Sequence, residues 1–209
     1  VYAIAHIRGG MEKGKKWYED GKKRKKLNSF NDFISCAKFL KKEKISGNIS
    51  IHGGSAGGLL IGASLNISPD TFHCAVAEVP FVDVLNTILD ETLPLTPPEW
   101  EEWGNPIKNR SDYDYIRSYS PYDNIKKQSY PAILATSGLT DPRVTYWEAT
   151  KWIAKLRNKK IDDNPIFLKT YTEAGHGGMA GRYNQIREIA FIYAFILWRN
   201  NLTKRSISR

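Results

Sequence analysis

The chain has 209 residues, of which 41% are hydrophobic, 25% charged and 12% aromatic. That balance excludes a disordered chain and suits one globular domain with a sizeable core. Its 16 glycines and 10 prolines follow no collagen period, and two cysteines make neither a disulfide framework nor a zinc cluster. The net charge of +9 is unevenly spread, because residues 1–45 carry 13 Lys and Arg against 5 acids while residues 46–107 carry 8 acids and no Lys or Arg.

The first predicted element is a strand, Val1 to Ile7, whose nearly unbroken apolar run reads as buried on both faces before Arg8-Gly9-Gly10 stops it. The run Lys22 to Lys26 reads as a solvated loop or helix end. No RNP, helix-turn-helix or zinc-finger pattern accompanies it, so no nucleic-acid partner is expected. After Asn28-Ser29 an amphipathic helix follows, with Phe30, Phe33, Ile34, Ala37 and Leu40 on one face and lysines in its last turn.

Asn48 to His52 is the second predicted strand and runs into Gly53-Gly54-Ser55-Ala56-Gly57-Gly58, followed by a buried helix through Leu59, Leu60, Ile61 and Ala63. Cys74 to Val79 makes a third strand, and a Pro- and Trp-bearing excursion extends to about residue 130. Ala132–Thr136 is a fourth strand, Val144–Leu156 a helix, Pro165–Tyr171 a fifth strand, and a helix runs from about Asn184 to Arg199. Strands alternating with helices predict an α/β domain with a mostly parallel sheet and helices on both faces. The longest apolar run, Ile189 to Trp198, is ten residues, too short to cross a bilayer. No signal-peptide pattern opens the chain, so the expectation is a cytoplasmic protein with no membrane contact.

Gly53-Gly54-Ser55-Ala56-Gly57 fits G-x-S-x-G between a strand and a helix. Such a turn exposes the serine hydroxyl above the strand ends, in a strained conformation that leaves no room for side chains two residues either side. A serine needs a base to become a nucleophile. Of four histidines, His6, His52 and His73 lie in or against strands and read as structural. His176 sits in Ala174-Gly175-His176-Gly177-Gly178 beyond the fifth strand, where open α/β sheets build their sites. The orienting acid should fall between the two in chain order. Asp141 fits, just past the fourth strand in Gly138-Leu139-Thr140-Asp141-Pro142-Arg143, although alone it would read as a helix cap.

At these residues the chain resembles the catalytic domain of the prolyl oligopeptidase family of serine peptidases, within it the members that cleave after Arg or Lys. Arg8-Gly9-Gly10, Trp17-Tyr18-Glu19-Asp20-Gly21 and the Gly53–Gly58 turn carry the resemblance. It continues in Val79-Pro80-Phe81-Val82-Asp83-Val84, Glu101-Glu102-Trp103-Gly104-Asn105-Pro106, Tyr119-Ser120-Pro121-Tyr122-Asp123-Asn124 and Gly175-His176-Gly177-Gly178. It implies an α/β-hydrolase fold over residues 1–209, with Ser55 as nucleophile, His176 as base and Asp141 as its orienting acid. It also implies an oxyanion donor at the Ala56 N–H, carboxylates for a basic side chain at Glu99 and Glu101, an aromatic pocket wall at Phe81 and a substrate-gripping Arg143. No metal or organic cofactor is implied, and the substrates would be short basic peptides. The acidic stretch free of Lys and Arg suits a pocket for a cation.

Family members are longer, with a β-propeller and further sheet strands upstream, and a loop after one of those strands supplies a second oxyanion donor, a tyrosine. Two functions of different class follow. One is a serine peptidase, in which this piece works with the N-terminal part of the protein; the other is a non-catalytic remnant of a split or truncated gene. A small esterase of the same fold would share the acyl-enzyme chemistry but leaves the Glu-rich segment unexplained.

Overall fold

The computed structural model describes residues 1–203. Two helices, α1 (Lys15–Glu19) and α2 (Leu27–Lys42), lead into β1 (Ser50–Gly54), α3 (Ala56–Ile67) and β2 (Cys74–Glu78). Three helices follow, α4 (Val84–Leu89), α5 (Thr96–Trp103) and α6 (Arg110–Tyr119), then β3 (Ala132–Gly138), α7 (Tyr146–Lys159), β4 (Ile166–Tyr171) and α8 (Arg182–Arg199).

The four strands are parallel and lie side by side in chain order. Cys74–Ala77 and all of β3 are buried, which is why these segments read as continuous apolar runs instead of alternating ones. Ala75, Ala77, Ile133 and Ala135 face α2, α3 and α7, whose Ile34, Ile61, Leu65, Trp152, Ile153 and Leu156 complete the larger core. Cys74, Val76, Ala132 and Leu134 face Ile192 and Phe195 of α8. Crossovers of one hand, stepping in one direction along the sheet, bring α3 and α7 to the same face. Each of the fully buried Trp152, Ile153 and Leu156 contributes about 1.5–3 kcal/mol of apolar burial.

The expected strand at Val1–Ile7 does not form. The segment joins no ladder and leaves Val1, Tyr2 and Ile4 exposed. An apolar run becomes a buried strand only where neighbours answer its N–H and C=O groups, and the outer edge of β1 pairs with none of the described residues. The chain is secured just afterwards, where Arg8 forks onto Asp32 of α2 at 2.6 and 2.8 Å and its backbone N–H reaches the same carboxylate at 3.0 Å.

The basic run also departs from expectation. Lys23–Lys25 form a 3₁₀ turn docked on α5 and α6. Lys23 pairs with Glu101 at 2.9 Å, Arg24 with Asp112 at 3.1 Å, and Lys26 is buried against Glu102 at 2.8 Å. The solvated-loop reading holds for exposed Arg24 and Lys25, the latter paired with nearby Asp20, and fails for Lys26. The acids that answer Lys23, Arg24 and Lys26 lie some 80 residues away in sequence, beyond the reach of local patterns.

The excursion from 80 to 130 holds α4, α5 and α6, which pack on Phe30 of α2 and Leu59 and Ala63 of α3, and a polar connection to the core runs through Glu148 of α7. Glu148 is fully buried; it accepts from the N–H groups of Val82 and Asp83 at 2.9 and 2.8 Å and from the Thr87 hydroxyl at 2.7 Å. Burial pushes its carboxyl up to about 7, against the opposing pull of these donors. Because the folded value lies above the unfolded one, the folded state holds the extra proton. The resulting stability is complete below about pH 4.5 and is lost as pH rises through 7. Thermal melting across pH 4.5–8 should therefore show stability falling with pH by up to about 3 kcal/mol. The Glu148→Gln variant, neutral throughout, should lose that slope; an unchanged slope would rule Glu148 out as its source.

Candidate active site

Ser55 joins β1 to α3 with φ 54° and ψ −121°, a left-handed conformation that a serine adopts only when its surroundings enforce it. The enforcement comes from the end of β2. Ser55 donates its N–H to Glu78 O at 2.9 Å, and Ser55 O accepts from Phe81 N–H at 3.0 Å and Gly58 N–H at 2.8 Å. A Cβ at Gly53 would sit 2.5 Å from Gly57 O, so glycine is required there, as the motif predicts. A Cβ at Gly57 meets open space, contrary to expectation. The second steric demand falls on Gly58, where a Cβ would lie 2.4 Å from Pro80 Cβ.

The structure brings Ser55, His176 and Asp141 together. His176 Nε2 lies 3.0 Å from Ser55 Oγ, and His176 Nδ1 lies 2.7 Å from Asp141 Oδ2. The Asp141 side chain is wholly enclosed, and its other oxygen accepts from Arg143 N–H at 2.8 Å and Val144 N–H at 3.1 Å. One Asp141 oxygen thus faces the His176 ring while the other closes the turn ahead of α7; the helix-cap expectation is not met, because the N-cap of α7 is Thr145. The two loops are clamped by Thr140, whose N–H and hydroxyl both donate to Ala174 O, at 3.2 and 2.9 Å. The other histidines have partners of their own, His6 with Glu12, His52 with Glu78 and His73 with Arg199 O.

Ala56 opens α3, and its N–H has no hydrogen-bond partner among the described residues. Beside it is a narrow pocket of about 50 Å³ lined by Ser55, Ala56, Phe81, Glu99, Trp103 and Arg143, among others. Phe81 packs on Trp103 with ring centroids 5.4 Å apart, and Trp103 Nε1 donates to Glu99 Oε2 at 2.8 Å. Glu99 has no cationic partner among the described residues. Glu101 is not brought to this pocket. Its side chain is 87% exposed and pairs with Lys23, because residues two apart on a helix face different ways. A larger cleft, about 310 Å³, opens on Ser55 and His176 between the strand ends and α8 and is lined by Glu78, Tyr171 and Glu188.

Sequence reasoning missed Trp103, although its place four residues after Glu99 on a helix is the spacing at which side chains meet. It also missed Gly58, which stands in the Gly-Gly pair closing the motif.

Known proteins resemble this chain over nearly all of its length. Dipeptidyl aminopeptidase BI of Pseudoxanthomonas mexicana is 49% identical over 94% of this chain and 27% of its own length. Protease 2 of Moraxella lacunata is 49% identical over 94% of this chain and 29% of its own length. Among solved structures, oligopeptidase B from Leishmania major superposes with a TM-score of 0.93 at 49% identity, covering 98% of this chain and 29% of that one. The chain therefore spans less than a third of the length of these relatives, and its parallel sheet with flanking helices is their α/β-hydrolase catalytic fold. The model of the prolyl oligopeptidase family matches residues 1–202, and the chain belongs to that family.

Proposed function

We propose that the chain carries the catalytic machinery of a serine oligopeptidase that hydrolyses short peptides after Arg or Lys through an acyl-enzyme. The observation that carries this reading is the hydrogen-bonded line from Ser55 through His176 to Asp141. In it, His176 Nε2 takes the Ser55 hydroxyl proton as Oγ attacks the scissile carbonyl, and Asp141 holds the ring and balances its charge. The tetrahedral oxyanion is met by the Ala56 N–H at the start of α3, where the helix dipole adds to the effect. His176 then gives its proton to the leaving amine, and water, deprotonated by the same nitrogen, releases the acyl group and restores Ser55.

The basic side chain of the substrate enters the pocket lined by Phe81 and Trp103 and meets Glu99, the carboxylate there with no cationic partner among the described residues. Arg143, exposed at the rim, grips the substrate backbone. The longer relatives suggest a partner too, the N-terminal part of such a protein. The outward face of α8 presents Tyr183, Ile186, Ile189, Tyr193 and Trp198, and the outer edge of β1 pairs with none of the described residues; further chain would cover both.

A fluorophosphonate probe should label the purified chain and fail to label Ser55→Ala. An unlabelled parent chain would favour the remnant reading, and addition of the N-terminal part would then show whether activity needs it. In the labelled protein, Glu99→Gln should raise KM for Arg substrates ten- to hundredfold, the worth of a charged hydrogen bond of about 1.5–3 kcal/mol, with kcat little changed. Equal kcat/KM for Arg and Leu substrates in the parent would overturn the basic pocket and favour an esterase or a peptidase of other preference.

A further inference from the structure

We infer that Lys26 is a positioning residue for the specificity pocket: its buried ammonium fixes the Trp103 indole, and the indole fixes the Glu99 carboxylate. The inference rests on the reading of Glu99 as the receiver of a basic side chain, and it explains how one glutamate out of three on α5 comes to be that receiver.

Lys26 ends the basic run and is 7% exposed. Its Nζ donates to Glu102 Oε1 at 2.8 Å and lies 4.7 Å from the centre of the Trp103 ring. The remaining oxygen of Glu102 accepts from the Tyr18 hydroxyl at 2.8 Å, so the ammonium is held at a defined point instead of sweeping an arc. Burying an ammonium is costly unless its partners are fixed, and here both partners come from α5, with Tyr18 of α1 holding Glu102 from behind.

A cation over the ring draws electron density toward the face and strengthens the indole as a donor. That donor, Nε1, holds Glu99 Oε2 at 2.8 Å, while Oε1 has no partner among the described residues. On its other side, Trp103 packs against Phe81, a second aromatic lining residue of the pocket. One lysine therefore acts on both the wall and the carboxylate without touching the substrate. Meanwhile Lys23 occupies Glu101 and Lys26 occupies Glu102, so Glu99 alone of the three keeps its charge for a ligand.

The test uses the full chain and substitutes Lys26→Met, which keeps the apolar stem in its slot and removes the charge. KM for an Arg substrate should rise about tenfold, while kcat and the rate of fluorophosphonate labelling of Ser55 stay within about twofold. The double variant Lys26→Met with Glu102→Gln removes the carboxylate that the first change strands, and it serves as the reading should the single variant not fold. Its KM should stay raised, since no cation then lies over Trp103. A double variant with parental KM would overturn the proposal by showing that Lys26 only neutralises Glu102, as would an unchanged KM in Lys26→Met. Glu99→Gln separates the two levels: if it abolishes preference for Arg while Lys26→Met does nothing, the pocket reading stands and the positioning role falls. If Glu99→Gln keeps the preference, both fall.

Discussion

The site depends on a strained joint between two neighbouring parallel strands. Ser55 at φ 54° and Val79 at φ 38° both occupy backbone conformations that cost about 1–3 kcal/mol each, and for a β-branched valine the conformation is rarer still. They hold each other in place. Ser55 bonds to the last residue of β2 on one side of Val79 and to Phe81 on the other, so neither can relax without breaking the other's hydrogen bonds. Gly58 leaves the space into which the turn at Val79 swings Pro80. The nucleophile and the pocket wall are consequently parts of one object, and Glu148 extends that object to α7 by gripping Val82 and Asp83.

Charge is arranged around this joint by subtraction. The basic first part of the chain folds back on the acidic second part, and most of the apparent acidity near the pocket is neutralised from within. The contacts are unequal in weight. Lys23 with Glu101 is an exposed pair of the kind that contributes little to stability, whereas Lys26 with Glu102 is enclosed and tied to an aromatic ring and a tyrosine. At the pocket, Glu99 has no cationic partner among the described residues. In the proposed function, a cationic side chain entering there would be attracted by one localised charge with little competition from neighbouring carboxylates.

The sheet and its helices were legible because two-sided burial writes itself as apolar runs, and α2 because its apolar face repeats at helical spacing. The order Ser55, Asp141, His176 was legible because each follows its own strand. Three features were not. Val1–Ile7 has a strand's composition, but pairing is a property of neighbours and not of the segment itself. The helices of the excursion are short, and α5 carries two prolines and three glutamates, which obscures any periodicity. The docking of Lys23, Arg24 and Lys26 is a contact between residues far apart in the chain, and a run of like charge in isolation says only that it is polar. Glu101 shows the same limit from the other direction, since it stands two residues from Glu99 in sequence and on a different face of the helix.

The bonding of Asp141 has a consequence for the handedness of the triad. A carboxylate has two equivalent ends, yet here one end is claimed by the backbone N–H groups of Arg143 and Val144, which can be answered only by an acceptor. An amide at this position would have to give its oxygen to the backbone and turn its nitrogen toward the His176 ring. The ring would then accept at Nδ1 and carry its proton at Nε2, facing the serine with a donor where a base is required. The small turn after β3 thus selects more than the position of a negative charge. In the proposed mechanism it sets the direction in which protons can move along the whole line from Asp141 to Ser55.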